Sequence, residues 1–152
     1  MKSAASRRGA STILELIVTM TLLVFFSFFP VEVSLISQKR MILSEVWMVA
    51  LQDAAQEGQV DGTVMNNVDA NLTSNGLDPS QVKIVTNAPS GNPIVMGSTT
   101  PIQVTLYYPA TTDVQIMNAL SALIGEPNLI QTVHGTAYYV FSGETMSSYA
   151  PY

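Results

Sequence analysis

The sequence predicts an α+β protein in which a long N-terminal helix, first membrane-spanning and then amphipathic, carries a small antiparallel-sheet head domain. Three observations predict this fold. An almost unbroken apolar run extends from Ile13 to Phe29, helical periodicity continues from there to Gly58, and short apolar runs then alternate with turn-forming residues. The predicted domains are a basic leader at 1–10, the long helix at 11–57 and the head at 58–152.

The apolar run predicts a transmembrane helix over about residues 12–30. A hydrocarbon core of about 30 Å requires roughly 20 helical residues, and between Arg8 and Glu32 the only charged residue is Glu15. A carboxylate near hydrocarbon costs roughly 2.5–3.5 kcal/mol on insertion scales, so we expect Glu15 to have a cationic partner. Two alternatives stay open: Glu15 snorkels to the lipid headgroups, or the run belongs to an ordinary signal peptide.

The long helix should begin near Ser11 or Thr12, either of which can cap it, and should kink at Pro30. Gly58 is the natural residue to end it. We expect Trp47 to face the sheet of the head. The second half of the helix has one apolar stripe, Ile36, Leu43, Trp47, Ala50 and Ala54, and an opposite polar face, Glu45, Gln52, Asp53 and Gln56.

The head should contain two short helices and a few strands. The strongest strand pattern is the alternation from Ile102 to Tyr108. Thr112 and Gln115 form a capping box for a helix that ends at Gly125. The other predicted elements are a helix at 63–74 closed by Asn75-Gly76, a turn at 77–79 leading to a strand at 81–86, a loop at 87–93, and a final strand at 129–142 with Gly135 as a possible bulge.

Charge is distributed unevenly along the 152 residues. Lys2, Arg7 and Arg8 precede the apolar run, whereas from Met41 onward nine acids accompany one base, Lys83. The positive-inside rule therefore predicts a single-pass cell-membrane protein with a cytoplasmic N-terminus and an extracytoplasmic head, although the bases at 39 and 40 weaken this bias. Membrane lipid is an expected partner. Nucleic acid is not, because its phosphates require a basic surface.

The sequence contains no pattern typical of a catalytic or metal site. There is no cysteine, which excludes disulfides, thiolate ligands and cysteine nucleophiles. The single histidine, His134, falls in a predicted strand, where a satisfied surface or core residue is the simpler interpretation. No phosphate-binding glycine loop or nucleophile elbow is present. We therefore expect neither enzymatic activity nor a cofactor.

The N-terminal residues resemble the class III leader of type IV pilin-like proteins, and in particular the bacterial TadE-like group of tight-adherence pilus systems. The resemblance covers about residues 7–30. It implies that a prepilin peptidase removes a leader ending at Gly9 or Ala10. A cut after Ala10 leaves Ser11 first and Glu15 fifth, the usual spacing of the family, whereas a cut after Gly9 makes Glu15 sixth. The chain lacks the phenylalanine that often begins the mature family members.

The resemblance implies a structural subunit, a pilin-like or pseudopilin component of a Tad, type IV pilus-like or secretion apparatus. Its implied partners are related pilin subunits, bound through the N-terminal helix, and an inner-membrane platform. Glu15 of one subunit would pair with the new α-ammonium of the next. Two other functions stay open: an uncleaved bitopic anchor of a conjugation or secretion complex, and a surface module whose head binds a ligand.

Overall fold

The computed structural model describes residues 3–111, 113, 114, 116 and 130–151. Its elements are α1 (Ser3–Glu57), α2 (Gly62–Ser74), a 3-10 turn (Pro79–Gln81), β1 (Lys83–Thr86), β2 (Ile102–Pro109), β3 (Ile130–Val133) and β4 (Thr136–Thr145). The long helix and the four-stranded antiparallel sheet confirm the predicted α+β class. The chain forms two compact units, Met1–Gln38 and Lys39–Tyr152, and α1 contributes residues to both.

Helix α1 ends where the sequence predicts but begins earlier. Gly58 follows it with φ of +72°, and a Cβ there would lie 2.7 Å from the carbonyl oxygen of Ile94. The predicted start near Ser11 or Thr12 is wrong, because α1 begins at Ser3. The alanines and arginines of the leader are good helix formers, so a capping residue downstream does not start the helix. Helix α1 also continues through Pro30.

The amphipathic part of α1 contributes one face to the core of the Lys39–Tyr152 unit. Leu43, Ala50 and Ala54 are completely buried, and Val46, which the predicted stripe omits, is 2% exposed. Glu45 and the glutamines of the predicted polar face are exposed. The helical stripe predicted from the sequence is therefore confirmed in this unit.

Trp47 joins α1 to the sheet, as predicted. Its Nε1 donates to the carbonyl oxygen of Val104 at 3.1 Å, and its ring stacks on Phe141 with centroids 6.4 Å apart. A Cβ added to Gly143 would lie 2.6 Å from the indole ring. Glycine near the C-terminal end of β4 therefore allows the close approach of the helix to the strand.

Helix α2 lies close to its predicted bounds and completes the core. Asp61 caps it, because its Oδ1 accepts hydrogen bonds from the backbone N–H groups of Thr63 and Val64 at 2.9 and 3.1 Å. Gly76 closes the turn after the helix with φ of +73°. The buried face of α2 consists of Val64, Val68 and Leu72.

The sheet has the strand order β1-β2-β4-β3, and every neighbouring pair is antiparallel. The predicted alternation in β2 is confirmed: Ile102, Val104, Leu106 and Tyr108 are buried on the face that packs against α1, and the residues between them are more exposed. Register places Tyr139 of β4 opposite Tyr108 on the same buried face. The other face of the sheet, here called the outer face, carries Tyr107 and Tyr138.

The predicted single strand at 129–142 is wrong, because this segment forms a hairpin of β3 and β4. His134 and Gly135 connect the strands with φ of +50° and +82°, so Gly135 belongs to a turn and not to a bulge. Two positive φ values in succession match the two-residue turn that suits the twist of a hairpin. β4 continues to Thr145, three residues beyond the predicted end.

The predicted capped helix at 112–124 lies largely outside the described residues, which include only Asp113, Val114 and Ile116 of it. Its capping residues Thr112 and Gln115 and its end at Gly125 are likewise outside the described residues.

Candidate functional site

The first candidate site is the apolar part of α1. Every described side chain from Ile13 to Phe28 is exposed. The exposed fraction of the large apolar side chains ranges from 50% for Val18 to 67% for Phe26 and Phe28. Monomeric soluble proteins rarely expose a continuous apolar surface of this extent. Among the described residues, one helix is long and apolar enough to cross a membrane, and it contains this segment.

The hydroxyl groups within this segment bond to their own helix. Thr19 donates to the carbonyl oxygen of Glu15 at 2.7 Å, Thr21 to that of Ile17 at 2.8 Å, and Ser27 to that of Leu23 at 2.7 Å. A hydroxyl left without a partner in hydrocarbon is costly, and these bonds remove that cost. The three polar side chains are therefore compatible with a lipid environment.

Glu15 is exposed on the same part of α1. It borders a shallow groove along the helix surface with Leu16, Thr19, Met20 and Leu23. These residues follow Glu15 at intervals of one, four, five and eight, so they share its side of the helix. The acid thus lies on a surface that is otherwise apolar except for one threonine.

The predicted processing residues lie in the first turns of α1. Gly9, Ala10 and Ser11 are helical, as are Arg7 and Arg8 before them, whereas Lys2 is outside the described residues. The predicted cut after Gly9 or Ala10 therefore falls inside a helix, four to six residues before Glu15. The helical conformation here is what the sequence analysis did not anticipate.

The second candidate site is a charged cluster in the Lys39–Tyr152 unit. Lys39 Nζ and the Tyr139 hydroxyl both donate to Asp113 Oδ2 at 2.9 Å. The ammonium also lies 5.3 Å from the ring centroid of Tyr108 and 5.6 Å from that of Tyr139, within the range of a cation–π contact. The cluster links the start of the amphipathic part of α1 to the segment after β2 and to β4.

Burial and the neighbouring carboxylate change the acidity of the cluster. The pKa of Tyr139 is raised well above its ordinary value, first by burial and then by the hydrogen bond and negative charge of Asp113, with Arg40 opposing the change. Sequence reasoning missed this cluster because its members are separated by 74 and 26 residues. It treated Lys39 only as a positive charge after the apolar run.

Within residues 3–111, 113, 114, 116 and 130–151, no group of three or more His, Asp or Glu side chains has the arrangement of a metal site. His134 lies in the β3–β4 turn and is exposed. The expected lack of a cofactor and of enzymatic activity remains a prediction.

Comparison with known proteins gives no match: no protein-family model, no curated protein and no solved structure is significantly similar to this chain.

Proposed function

We propose that this chain is a pilin-like, single-span structural subunit of a Tad, type IV pilus-like or secretion apparatus, and that it assembles through α1. One observation carries the proposal: the exposed apolar segment from Ile13 to Phe28 includes a single acid, Glu15, near its N-terminal end. Lipid and the apolar helices of other subunits are the two environments that satisfy such a surface. The proposed role is structural and not catalytic.

The proposed orientation has a cytoplasmic N-terminus and an extracytoplasmic head. The bases at 39 and 40 oppose this orientation when charges are counted from the sequence. The leader nevertheless carries three bases, Lys2, Arg7 and Arg8, against these two, which supports a cytoplasmic N-terminus.

The proposed assembly contact pairs Glu15 of one subunit with the α-ammonium that cleavage creates on its neighbour. The apolar surface around Glu15 lowers the local dielectric constant and so strengthens an ion pair, although each charge also loses its hydration. The pair would fix the register of adjacent helices. Such a carboxylate needs a position close to the mature N-terminus, as Glu15 has after a cut at Gly9 or Ala10.

The runner-up is an uncleaved bitopic anchor, and the helical conformation of the cleavage region favours it. A peptidase must unwind Gly9, Ala10 and Ser11 before it can cut there. Glycine costs about 1 kcal/mol in a helix relative to alanine, so the helix unwinds at Gly9 at little cost and cleavage remains feasible.

The intact mass of membrane-extracted protein, with and without a prepilin peptidase, separates the two functions. The proposal requires loss of nine or ten residues in the presence of the peptidase.

Substitution of Glu15 tests the assembly contact. We expect Glu15→Ala to insert into the membrane normally but to lose co-purification with other subunits. Glu32→Ala is the matched control, since it removes the next acid along α1, which is also exposed. If the Glu15 variant co-purifies at the yield of wild type and of the control, the proposed role of Glu15 is wrong.

A further inference from the structure

A shallow pocket of about 260 Å³ lies on the outer face of the sheet. The rings of Tyr107 and Tyr138 meet there edge to face, with centroids 6.1 Å apart and planes at 89°. Val85 of β1 and Val133 of β3 contribute apolar surface, and Lys83 and His134 contribute polar groups. The pocket therefore draws side chains from all the strands of the described sheet and from the β3–β4 turn.

The charge of this pocket is opposite to that of the surrounding sequence. From Met41 onward the chain has nine acids and one base, and that base, Lys83, lines the pocket. No acid is among its described lining residues. Glu144 is also on the outer face, but it lies beside Gln103, six residues along β4 from Tyr138, and does not line the pocket. The pocket is thus suited to a ligand that carries a carboxylate.

Two features favour an extended polypeptide as this ligand. β1 is an edge strand of the described sheet, and an added strand gains main-chain hydrogen bonds at such an edge. The side chains of an added strand alternate between the two faces of the sheet. Two of its residues that are two positions apart would therefore lie beside Lys83 and Val85, which are also two positions apart on the outer face. The perpendicular tyrosine rings form a corner for a side chain and not the flat platform on which a sugar ring stacks.

We propose that the outer-face pocket and the β1 edge bind an acidic peptide segment in extended conformation, with a carboxylate side chain opposite Lys83 and an apolar side chain two residues away beside Val85. This binding function is additional to assembly through α1 and does not depend on it. A lysine on an edge strand also discourages unselective strand pairing. Here the same ammonium would admit acidic strands and disfavour others.

The test uses the full-length protein in nanodiscs and a fluorescein-labelled peptide of seven residues, capped at both ends, with one glutamate and one valine two positions apart. Fluorescence anisotropy should show saturable binding. Binding should weaken as the salt concentration rises from 0.1 to 1 M, where the screening length falls from about 10 Å to about 3 Å. A peptide with lysine for glutamate, and one with glutamate and valine adjacent, should each bind about fivefold more weakly or not at all.

Variants locate the site. Lys83→Glu should weaken binding about fivefold or more, whereas Arg40→Glu makes the same charge change at an exposed residue outside the pocket and should leave binding unchanged. Thermal unfolding of each variant verifies the fold.

Three results would overturn the proposal: no binding of the glutamate–valine peptide, equal binding to wild type and to a folded Lys83→Glu protein, or competition by polygalacturonate, which would assign the pocket to acidic sugars. None of these results bears on cleavage or on Glu15, so failure here is distinguishable from failure of the proposed assembly function.

Discussion

The two parts of α1 are both rich in apolar residues, but they differ in how those residues are arranged. From Ile13 to Phe28 they cover all sides of the helix, and every described side chain is exposed. In the Lys39–Tyr152 unit they form one stripe, of which Leu43, Ala50 and Ala54 are completely buried. The difference shows that periodicity, more than apolar content, determines whether a helix segment folds against its own chain or requires another apolar environment.

The largest expected effect comes from placing charge on each part of the helix. Val18→Arg combined with Leu22→Arg should prevent stable membrane association, because two arginines near the middle of a span cost about 5–7 kcal/mol on insertion scales. Met41→Arg combined with Met48→Arg adds the same charge to residues that are 66% and 59% exposed in the other unit, and should have little effect. Extraction of membranes with alkaline carbonate, followed by immunoblotting, measures the difference.

This comparison fails if both double variants remain in the membrane fraction to the same extent. Equal retention would mean that the exposed apolar surface from Ile13 to Phe28 is not what holds the chain in the membrane.

A smaller effect is expected from truncating one leucine in each part. Leu43→Ala should destabilise the Lys39–Tyr152 unit by about 2–5 kcal/mol, because it leaves a cavity in a packed core. Leu23→Ala, at a residue that is 64% exposed, should leave that unit's stability unchanged. Urea unfolding followed by the fluorescence of Trp47, the single tryptophan, reports on this unit directly. Equal midpoints for the two variants would contradict the contrast between packed and unpacked segments.

Local patterns allowed most of the fold to be predicted. The stripe of α1, the end of the helix at Gly58, α2 and the alternation in β2 all depend on residues close in sequence, so periodicity and turn chemistry are enough to identify them. The helix start was missed because leader residues with high helix propensity outweigh a capping residue. The β3–β4 turn was missed because histidine is an uncommon residue at positive φ, although it adopts that region more readily than most.

The candidate sites divide in the same way. The apolar run and Glu15 are visible in the sequence, because the length and composition of an apolar run are local properties. The cluster of Lys39, Asp113 and Tyr139 is not, since it depends on tertiary contacts between distant elements. The outer-face pocket is also tertiary, because strand register alone brings Lys83 beside Tyr107.

The smallest expected effect concerns Asp113, the one described acid of the Lys39–Tyr152 unit that accepts hydrogen bonds from both a lysine and a tyrosine. Because the pKa of Tyr139 is raised above its ordinary value of 10.0, the folded state keeps the phenolic proton at a pH where the unfolded state loses it. The ionisation of Tyr139 should therefore leave the free energy of unfolding unchanged below about pH 10 and should decrease it as the pH rises further. Tyr139→Phe should reduce that decrease, whereas Tyr107→Phe, on the outer face, should not.

Urea unfolding at a series of pH values from 8 upward measures this slope, and absorbance of the tyrosinate ion shows whether Tyr139 ionises only on unfolding. The exposed apolar segment from Ile13 to Phe28 contributes no tyrosine to the signal, since the first tyrosine of the chain is Tyr107. If the wild type and Tyr139→Phe lose stability equally above pH 10, the hydrogen bond to Asp113 does not hold the phenol neutral. In its acidity, the buried cluster would then behave more like an exposed charged residue of α1 than its contacts indicate.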